Sequence, residues 1–245
     1  MHTPLSNLQP NFSFRPAITK DGPSIIAIFD TSLPYLSTIG SIEQWGLVPF
    51  SQREGWVEET LKQLADAENY HLTGESEEGS VNERLRLFVV EVESEAETKP
   101  EAQTKVDSDV RGFDSGNTGS CSQLAGIVFV RAEWVPSYIT SQSHISISDT
   151  ERVSSIYLEV MVSDPLIGKG AGKALIEGVC EFGRSLGKTV LYVDGWAGNE
   201  KKLIRGKLSG FGRYYEKQGF QLIADFSLPR KGKVPWLGAL MKMNI

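Results

Sequence analysis

Three glycines alternate with other residues where a predicted strand meets a predicted helix. They lie in the run IGKGAGK, residues 167–173, which we call the glycine loop; its members are Ile167, Gly168, Lys169, Gly170, Ala171, Gly172 and Lys173. Glycine lets a backbone approach a ligand closely, and the free N–H groups of a helix N-terminus attract anions. Lys169 and Lys173 add positive charge. The glycine loop therefore predicts a binding site for a phosphate or pyrophosphate.

Two common phosphate-binding loops do not fit this spacing. In the triphosphate loop G-x-x-x-x-G-K-[ST], Ile167 would replace the first glycine and Ala174 would replace the hydroxyl residue that binds magnesium. In the dinucleotide loop G-x-G-x-x-G, Lys173 would replace the third glycine, and the loop should open an early strand–helix–strand unit. Here the glycines come late, after strands of antiparallel type. We retain neither loop.

The longer run VSDPLIGKGAGKAL resembles the acyl-CoA-binding motif of the GNAT (Gcn5-related) N-acetyltransferase superfamily, Q/R-x-x-G-x-G/A. Gly170 and Gly172 take the glycine positions, while Ile167 stands where the family has Gln or Arg. Two later runs, YVDGWAGNE and YYEKQGF, resemble the second half of the same family. There an Asn contacts the cofactor arm and a Tyr lies near the thioester sulfur. The matching residues in this sequence are Asn199 and Tyr215.

The resemblance implies acetyl-CoA as co-substrate and direct transfer of its acetyl group to an amine, without an acyl-enzyme. Backbone N–H groups around Met161 and Val162, just before the glycine loop, would polarise the thioester carbonyl. Tyr215 would give a proton to the leaving thiolate, because a phenol of pKa near ~10 is a suitable acid for a thiol leaving group. Tyr214, beside it, competes for this role.

Glu159 is the predicted general base, because it is an isolated acid in the apolar run SIYLEVMV, residues 155–162. Burial at that position would raise its pKa toward a useful range. A charge on a solvated sheet face, or a structural ion pair, would explain the same residue. Asp194 is a second candidate, and water is a third proton acceptor.

Large aromatic residues in irregular segments are candidates for an acceptor pocket. They are Trp45, Phe50, Trp134 and Tyr138. Aromatic walls with a few polar groups suit a small amine, so the leading prediction is a small-molecule acceptor. The alternatives are a protein or peptide acetyltransferase and a non-catalytic sensor that binds coenzyme A.

The periodicity of the chain predicts the elements that would hold these residues. Apolar and β-branched runs indicate strands at 12–18, 84–92, 123–134, 155–162 and 189–194, with two more near the C-terminus. Helical spacing indicates intervening helices, one of them at 170–186. This order favours an α/β (α+β) domain, with a mixed central sheet of about seven strands and helices on both faces. Strict alternation would put four residues of the strand 155–162 on one face: Ile156, Leu158, Val160 and Val162.

We predict one N-acetyltransferase domain over residues 1–245, with two insertions. Residues 93–119 are acidic and rich in Ser, Thr and Gly, and they have too few large apolar groups to order themselves. They are predicted to form a disordered acidic loop. The second insertion, RGKLSGFG at 205–212, is indicated by the resemblance, since related chains pass from the Asn to the Tyr in a short helix.

The composition argues against nucleic-acid binding, a membrane span and a metal site. A formal net charge of −6 provides no general basic surface for nucleic acid, and no apolar run approaches the ~20 residues of a membrane span. No signal-peptide pattern is present, so we expect a cytoplasmic protein, with the nucleus as the alternative. Two distant cysteines and three histidines predict no metal site. An exposed strand near the C-terminus would allow two chains to pair as a homodimer.

Overall fold

The computed structural model describes residues 12–38, 41–75, 79, 82–94, 121–197 and 210–245. The strands are β1 Phe12–Pro16, β2 Leu85–Ser94, β3 Cys121–Ala132, β4 Ser155–Ser163, β5 Val190–Trp196, β6 Gln221–Arg230 and β7 Lys233–Asn244. The α-helices are α1 Gly22–Thr38, α2 Ile42–Trp45, α3 Trp56–Thr73, α4 Ser137–Thr140, α5 Asp149–Val153, α6 Ala171–Ser185 and α7 Gly210–Lys217. Asn199 lies outside the described residues. So do residues 95–119 of the predicted acidic loop 93–119 and residues 205–209 of the predicted insertion 205–212.

The seven strands form one mixed sheet in the order β1-β2-β3-β4-β5-β7-β6. β4 and β5 are parallel and are connected through α6, whereas the other neighbouring strands are antiparallel. β6 and β7 form a hairpin that places β7 inside the sheet, next to β5. The mixed seven-stranded sheet confirms the predicted fold class.

Helices cover both faces of the sheet, as predicted. On one face, Leu175 and Val179 of α6 pack against Leu158 of β4. On the other, Ile25 of α1 and Leu64 of α3 pack against β2 and β3. Each such buried side chain contributes roughly 1.5–3 kcal/mol. Among the described residues, no helix is both long enough and apolar enough to cross a membrane.

A bulge interrupts β4 at Glu159. Phe129 of β3 lies opposite Val160, but the next residue of β3, Val130, lies opposite Leu158. Glu159 is therefore the extra residue of β4 and has no partner in the ladder. One extra residue in a strand moves all later side chains to the opposite face.

The bulge corrects the predicted faces of β4. Ile156 and Leu158 lie in the core under α6, and beyond the bulge Met161 packs against that same core. Val160 and Val162 instead face the core under α1 and α3. The prediction of one shared face is therefore wrong beyond Leu158.

β4 and β5 separate where the bulge begins. Their pairing runs from Ser155 opposite Val190 to Leu158 opposite Val193. β5 then continues along β7 as far as Trp196. We call the gap between residues 159–163 of β4 and residues 194–196 of β5 the open seam. An opening inside a sheet exposes backbone groups that an extended ligand can pair with.

Candidate active site

Asp164 organises the approach to the glycine loop. Its carboxylate Oδ1 accepts hydrogen bonds from the backbone N–H groups of Leu166 (2.7 Å) and Ile167 (3.1 Å). Its backbone carbonyl accepts the N–H of Gly168 at 2.9 Å. These bonds turn the chain from β4 toward α6. The sequence analysis did not select Asp164, although an Asp followed by Pro is a recognised turn signal.

Two glycines of the loop are required by space and backbone conformation. A Cβ on Gly168 would lie 2.7 Å from the carbonyl oxygen of Ala125 and would also clash with Asp164. Gly170 has φ of 97° and is the N-cap of α6, a conformation that L side chains rarely adopt. The glycines therefore let the chain turn tightly into the helix.

The turn leaves backbone donors at the N-terminus of α6. In the part of the chain that the structure describes, the N–H groups of Lys169, Gly170 and Gly172 have no hydrogen-bond acceptor. The Lys169 side chain is exposed, and Lys173 lies 3.5 Å from Glu177 one turn along the helix. Free N–H groups and a helix dipole at one place fit a bound phosphate or pyrophosphate.

The open seam leads into a cavity of about 790 Å³. β4 and β5 supply its floor on both sides of the open seam, and α7 forms one end. Residues of α1, of α2 and of the segment between α2 and α3, among them Tyr35, Trp45 and Arg53, complete the lining. The cavity and the glycine loop both border the end of β4, so an elongated ligand would contact both.

Met161 directs its backbone into the open seam. The N–H of Asp164 donates to Ala125 of β3, and antiparallel ladders alternate, so Val162 also points its N–H and C=O toward β3. In agreement, the Val162 carbonyl oxygen is 3.1 Å from the position of a Cβ on Gly126 of β3. The side chain of Val162 is buried in the core. The structure thus brings Met161 to the cavity, but not Val162.

Two adjacent tyrosines of α7 line the cavity. The ring of Tyr215 is buried, with its centroid 5.3 Å from that of Tyr214 and 5.2 Å from that of Phe220. The hydroxyl of Tyr214 is also buried, has no hydrogen-bond partner among the described residues, and occupies the space that a Cβ on Gly172 would need. Burial raises the pKa of Tyr214 to about 12 and also raises the pKa of Tyr215. Both phenols therefore remain protonated hydrogen-bond donors at neutral pH, and Tyr215 is a weaker acid than the phenol of ordinary pKa that the sequence analysis assumed.

Glu159 lies at the cavity and is held by an ion pair. Its Oε2 is 2.7 Å from Nε of Arg131, whose side chain is only 8% exposed. The guanidinium of Arg131 also lies 5.1 Å from the ring of Trp134. The bulge aims the Glu159 carboxylate at the cavity, and Arg131 fixes its position.

Asp194 is a partly buried carboxylate on the other side of the open seam. Its Oδ1 accepts hydrogen bonds from the hydroxyls of Tyr157 and Tyr138, the latter at 3.1 Å. Burial raises the pKa of Asp194, although the two hydroxyls oppose this effect. Because both hydroxyls share Oδ1, Oδ2 is the oxygen available to a ligand. A carboxylate of raised pKa is suited to accept a proton near neutral pH.

The structure brings only some of the predicted pocket aromatics together. Trp45 and Phe50 line the cavity, whereas Tyr138 is not among the lining residues and is linked to the cavity only through its hydrogen bond to Asp194. Trp134 packs edge-on against Tyr157, with ring centroids 5.6 Å apart, and does not line the cavity.

Two further lining residues, Arg53 and Trp196, were not selected from the sequence. No local signal marks them, since their position depends on how α1, β5 and the segment between α2 and α3 pack.

Comparison with sequence models of protein families gives no match, and comparison with curated protein sequences gives none either. Among solved structures, the PaiA N-acetyltransferase from Thermoplasma acidophilum, in complex with coenzyme A, aligns over 96% of this chain and 99% of its own, with 14% identity and a TM-score of 0.50. An N-acetyltransferase from Staphylococcus aureus Mu50 aligns over 96% of this chain and 98% of its own, again with 14% identity and a TM-score of 0.50. The chain has the GNAT fold.

Within this GNAT fold, the glycine loop joins β4 to α6 at the parallel crossover, and the open seam lies beside it. At 14% identity the comparison establishes the GNAT fold, whereas the chemistry depends on the side chains of this cavity.

Proposed function

We propose that this protein is an acetyl-CoA-dependent N-acetyltransferase that transfers the acetyl group directly to the amine of a small molecule. One observation carries the proposal: a helix N-terminus with free N–H groups, an open seam and a cavity with titratable side chains are contiguous in a GNAT fold. Acetyl-CoA is a long co-substrate with phosphates at one end and a thioester at the other. Its phosphates would lie at the helix N-terminus, and its thioester would lie in the open seam at the cavity.

The residues at the glycine loop fit coenzyme A. The unpaired N–H groups of Lys169, Gly170 and Gly172 would hold its pyrophosphate. Loss of a Gln or Arg side chain at Ile167 leaves this backbone cradle intact. The buried hydroxyl of Tyr214, which has no partner among the described residues, would supply a further donor beside Gly172.

When bound, acetyl-CoA supplies an activated acetyl group and a thiol leaving group. The Met161 N–H, directed into the open seam, would hydrogen-bond the acetyl oxygen and stabilise the charge that develops there. Asp194 would take the proton of the acceptor ammonium, with Glu159 as the second carboxylate at the cavity. Tyr215 would donate its hydroxyl proton toward the departing sulfur.

Calorimetry with acetyl-CoA, followed by thiol release with a panel of small amines and basic peptides, tests this proposal. We expect binding that is lost in Gly170→Glu, because a carboxylate would occupy the anion site. We expect Tyr215→Phe to lower kcat by roughly 10²-fold or more with little change in acetyl-CoA affinity. Tyr214→Phe is the comparison variant: its ring is adjacent, but its hydroxyl lies at the helix N-terminus, so its loss should weaken acetyl-CoA binding and leave kcat with bound acetyl-CoA largely unchanged.

The outcomes separate the alternatives. Turnover of peptides but not small amines would identify a peptide acetyltransferase. Tight binding without turnover of any acceptor would identify a sensor of coenzyme A. Binding that survives Gly170→Glu would contradict the assignment of the glycine loop.

A further inference from the structure

Side chains of both charges line the cavity. Asp194 and Glu159 provide carboxylates beside the open seam. Arg53, between α2 and α3, provides a guanidinium. A ligand that fills the cavity would therefore meet both signs of charge.

Arg53 is held in place by groups that do not neutralise it. Its Nε donates to the Val48 carbonyl at 3.0 Å, and its Nη2 donates to the carbonyls of Trp45 at 2.5 Å and Val48 at 2.9 Å. Its guanidinium carbon lies 3.6 Å from the centroid of the Phe50 ring. Backbone carbonyls and an aromatic face fix the orientation of a guanidinium while it keeps its full charge.

No carboxylate lies within ion-pair distance of Arg53 in the described ranges of the chain. The nearest acidic influence is Asp30, whose Oδ1 accepts the backbone N–H of Ser51 instead. Partial burial of the guanidinium without a paired anion lowers the pKa of Arg53. A partly desolvated cation of this kind gains from an anionic ligand, and a planar guanidinium binds carboxylates in particular.

Asp194 is suited to bind an ammonium group. Both tyrosine hydroxyls that reach Asp194 donate to Oδ1, which leaves Oδ2 for an incoming donor. Trp45 and Trp196 also line the cavity and offer apolar surface to a short carbon chain.

We propose that the acceptor is a small amino acid-like molecule, in which the reacting amine is joined by a short apolar chain to an anionic group such as a carboxylate. The amine is bound at Asp194 and the anion at Arg53. This inference rests on the proposed acetyl transfer and names the substrate class of the same site.

A series of amino carboxylic acids with two to six carbons, each paired with the alkylamine of equal length, tests the inference in the thiol-release assay. We expect one chain length to exceed its alkylamine by about 10- to 100-fold in kcat/KM, the range of a charge-assisted hydrogen bond. In Arg53→Gln this ratio should fall to about one, while Arg53→Lys should keep part of it. Lys62→Gln, which removes an exposed positive charge on α3, should leave the ratio as in the wild type.

The ratio of kcat/KM values is insensitive to structural damage in the segment that Arg53 holds. Such damage would lower the turnover of the amino carboxylic acid and of its alkylamine alike. Equal kcat/KM values for acids and alkylamines in the wild type, or a preference that survives Arg53→Gln, would overturn the inference and leave acetyl transfer standing. If no acceptor is acetylated, the proposed function fails. Calorimetry in the presence of coenzyme A then decides whether the cavity binds an amino carboxylic acid through Arg53. Binding of an amino carboxylic acid that is lost in Arg53→Gln would support the site, and absence of binding to the wild type would refute it.

Discussion

At the residue scale, the carboxylate of Asp194 combines burial with two phenolic donors. The titratable groups that face it are Tyr157, Tyr138 and Glu159. Its burial raises the pKa, so the folded protein holds a proton on this group at pH values where the unfolded chain has lost it. The free energy of unfolding must therefore depend on pH through this residue.

Asp194→Asn tests this dependence, since the amide keeps an oxygen that can accept from both tyrosines. Because the folded pKa is raised above about 3.9, wild-type stability should fall relative to the variant as the pH rises from that value through the folded pKa. Above that window the difference should be constant. Urea unfolding of both proteins from pH 4 to pH 9 measures it. If the free energies of unfolding of the two proteins change in parallel over the whole pH range, the raised pKa of Asp194 is contradicted.

At the element scale, the glycine loop and α7 are fitted to each other. Gly172 on the first turn of α6 has no side chain, and the Tyr214 hydroxyl of α7 occupies the space where a Cβ would lie. The next atom of that tyrosine, Cζ, would be 3.2 Å from such a Cβ. The hydroxyl is therefore the main obstacle to any side chain at residue 172.

Gly172→Ala should accordingly destabilise the fold, and Tyr214→Phe should recover part of the loss. The single substitution forces the hydroxyl away, at a cost typical of overpacking, roughly 1–3 kcal/mol. In the double variant the worst contact is absent, so the two effects should be strongly non-additive. Urea unfolding of the two single variants and the double variant provides the measurement. Additive changes in the free energy of unfolding would show that the Tyr214 hydroxyl does not contact residue 172.

At the scale of the whole molecule, the end of β2 and the start of β3 are already paired on either side of residues 95–120. Ser94, at the end of β2, is paired with Cys121, at the start of β3. Two residues that face each other in an antiparallel ladder can be joined by a two-residue turn. The β2–β3 pairing extends through ten register positions from that end, so it is fixed by the strands themselves.

Replacing residues 95–120 with Asn-Gly should preserve the fold and the affinity for acetyl-CoA. The shorter connection lowers the entropy cost of closing the hairpin, so the free energy of unfolding should rise by up to about 2 kcal/mol. Urea unfolding and calorimetry check the two expectations. Reduced stability or weaker binding would mean that the replaced residues contact the domain or the ligand.

Local patterns predicted much of the fold and part of the site. The glycine loop, the strand before it and the helix after it follow from residue types and spacing within a short run, because backbone conformation there depends on glycine and on helix-terminal hydrogen bonding. The strands and the α6 face follow from hydrophobic periodicity for the same local reason. The sequence by itself therefore determined the tight turn at the glycine loop, the elements around it and the likeness to the GNAT superfamily.

Tertiary structure alone decided which side chains share the cavity. The bulge at Glu159 reverses the faces of Val160 and Val162, and it arises from the register between β3 and β4, which no local pattern encodes. The raised pKa of Asp194 and the exposure of Arg53 to the same cavity likewise depend on segments far apart in the chain. Long-range packing sets the distances and desolvation of these groups, and through them the charges that line the cavity.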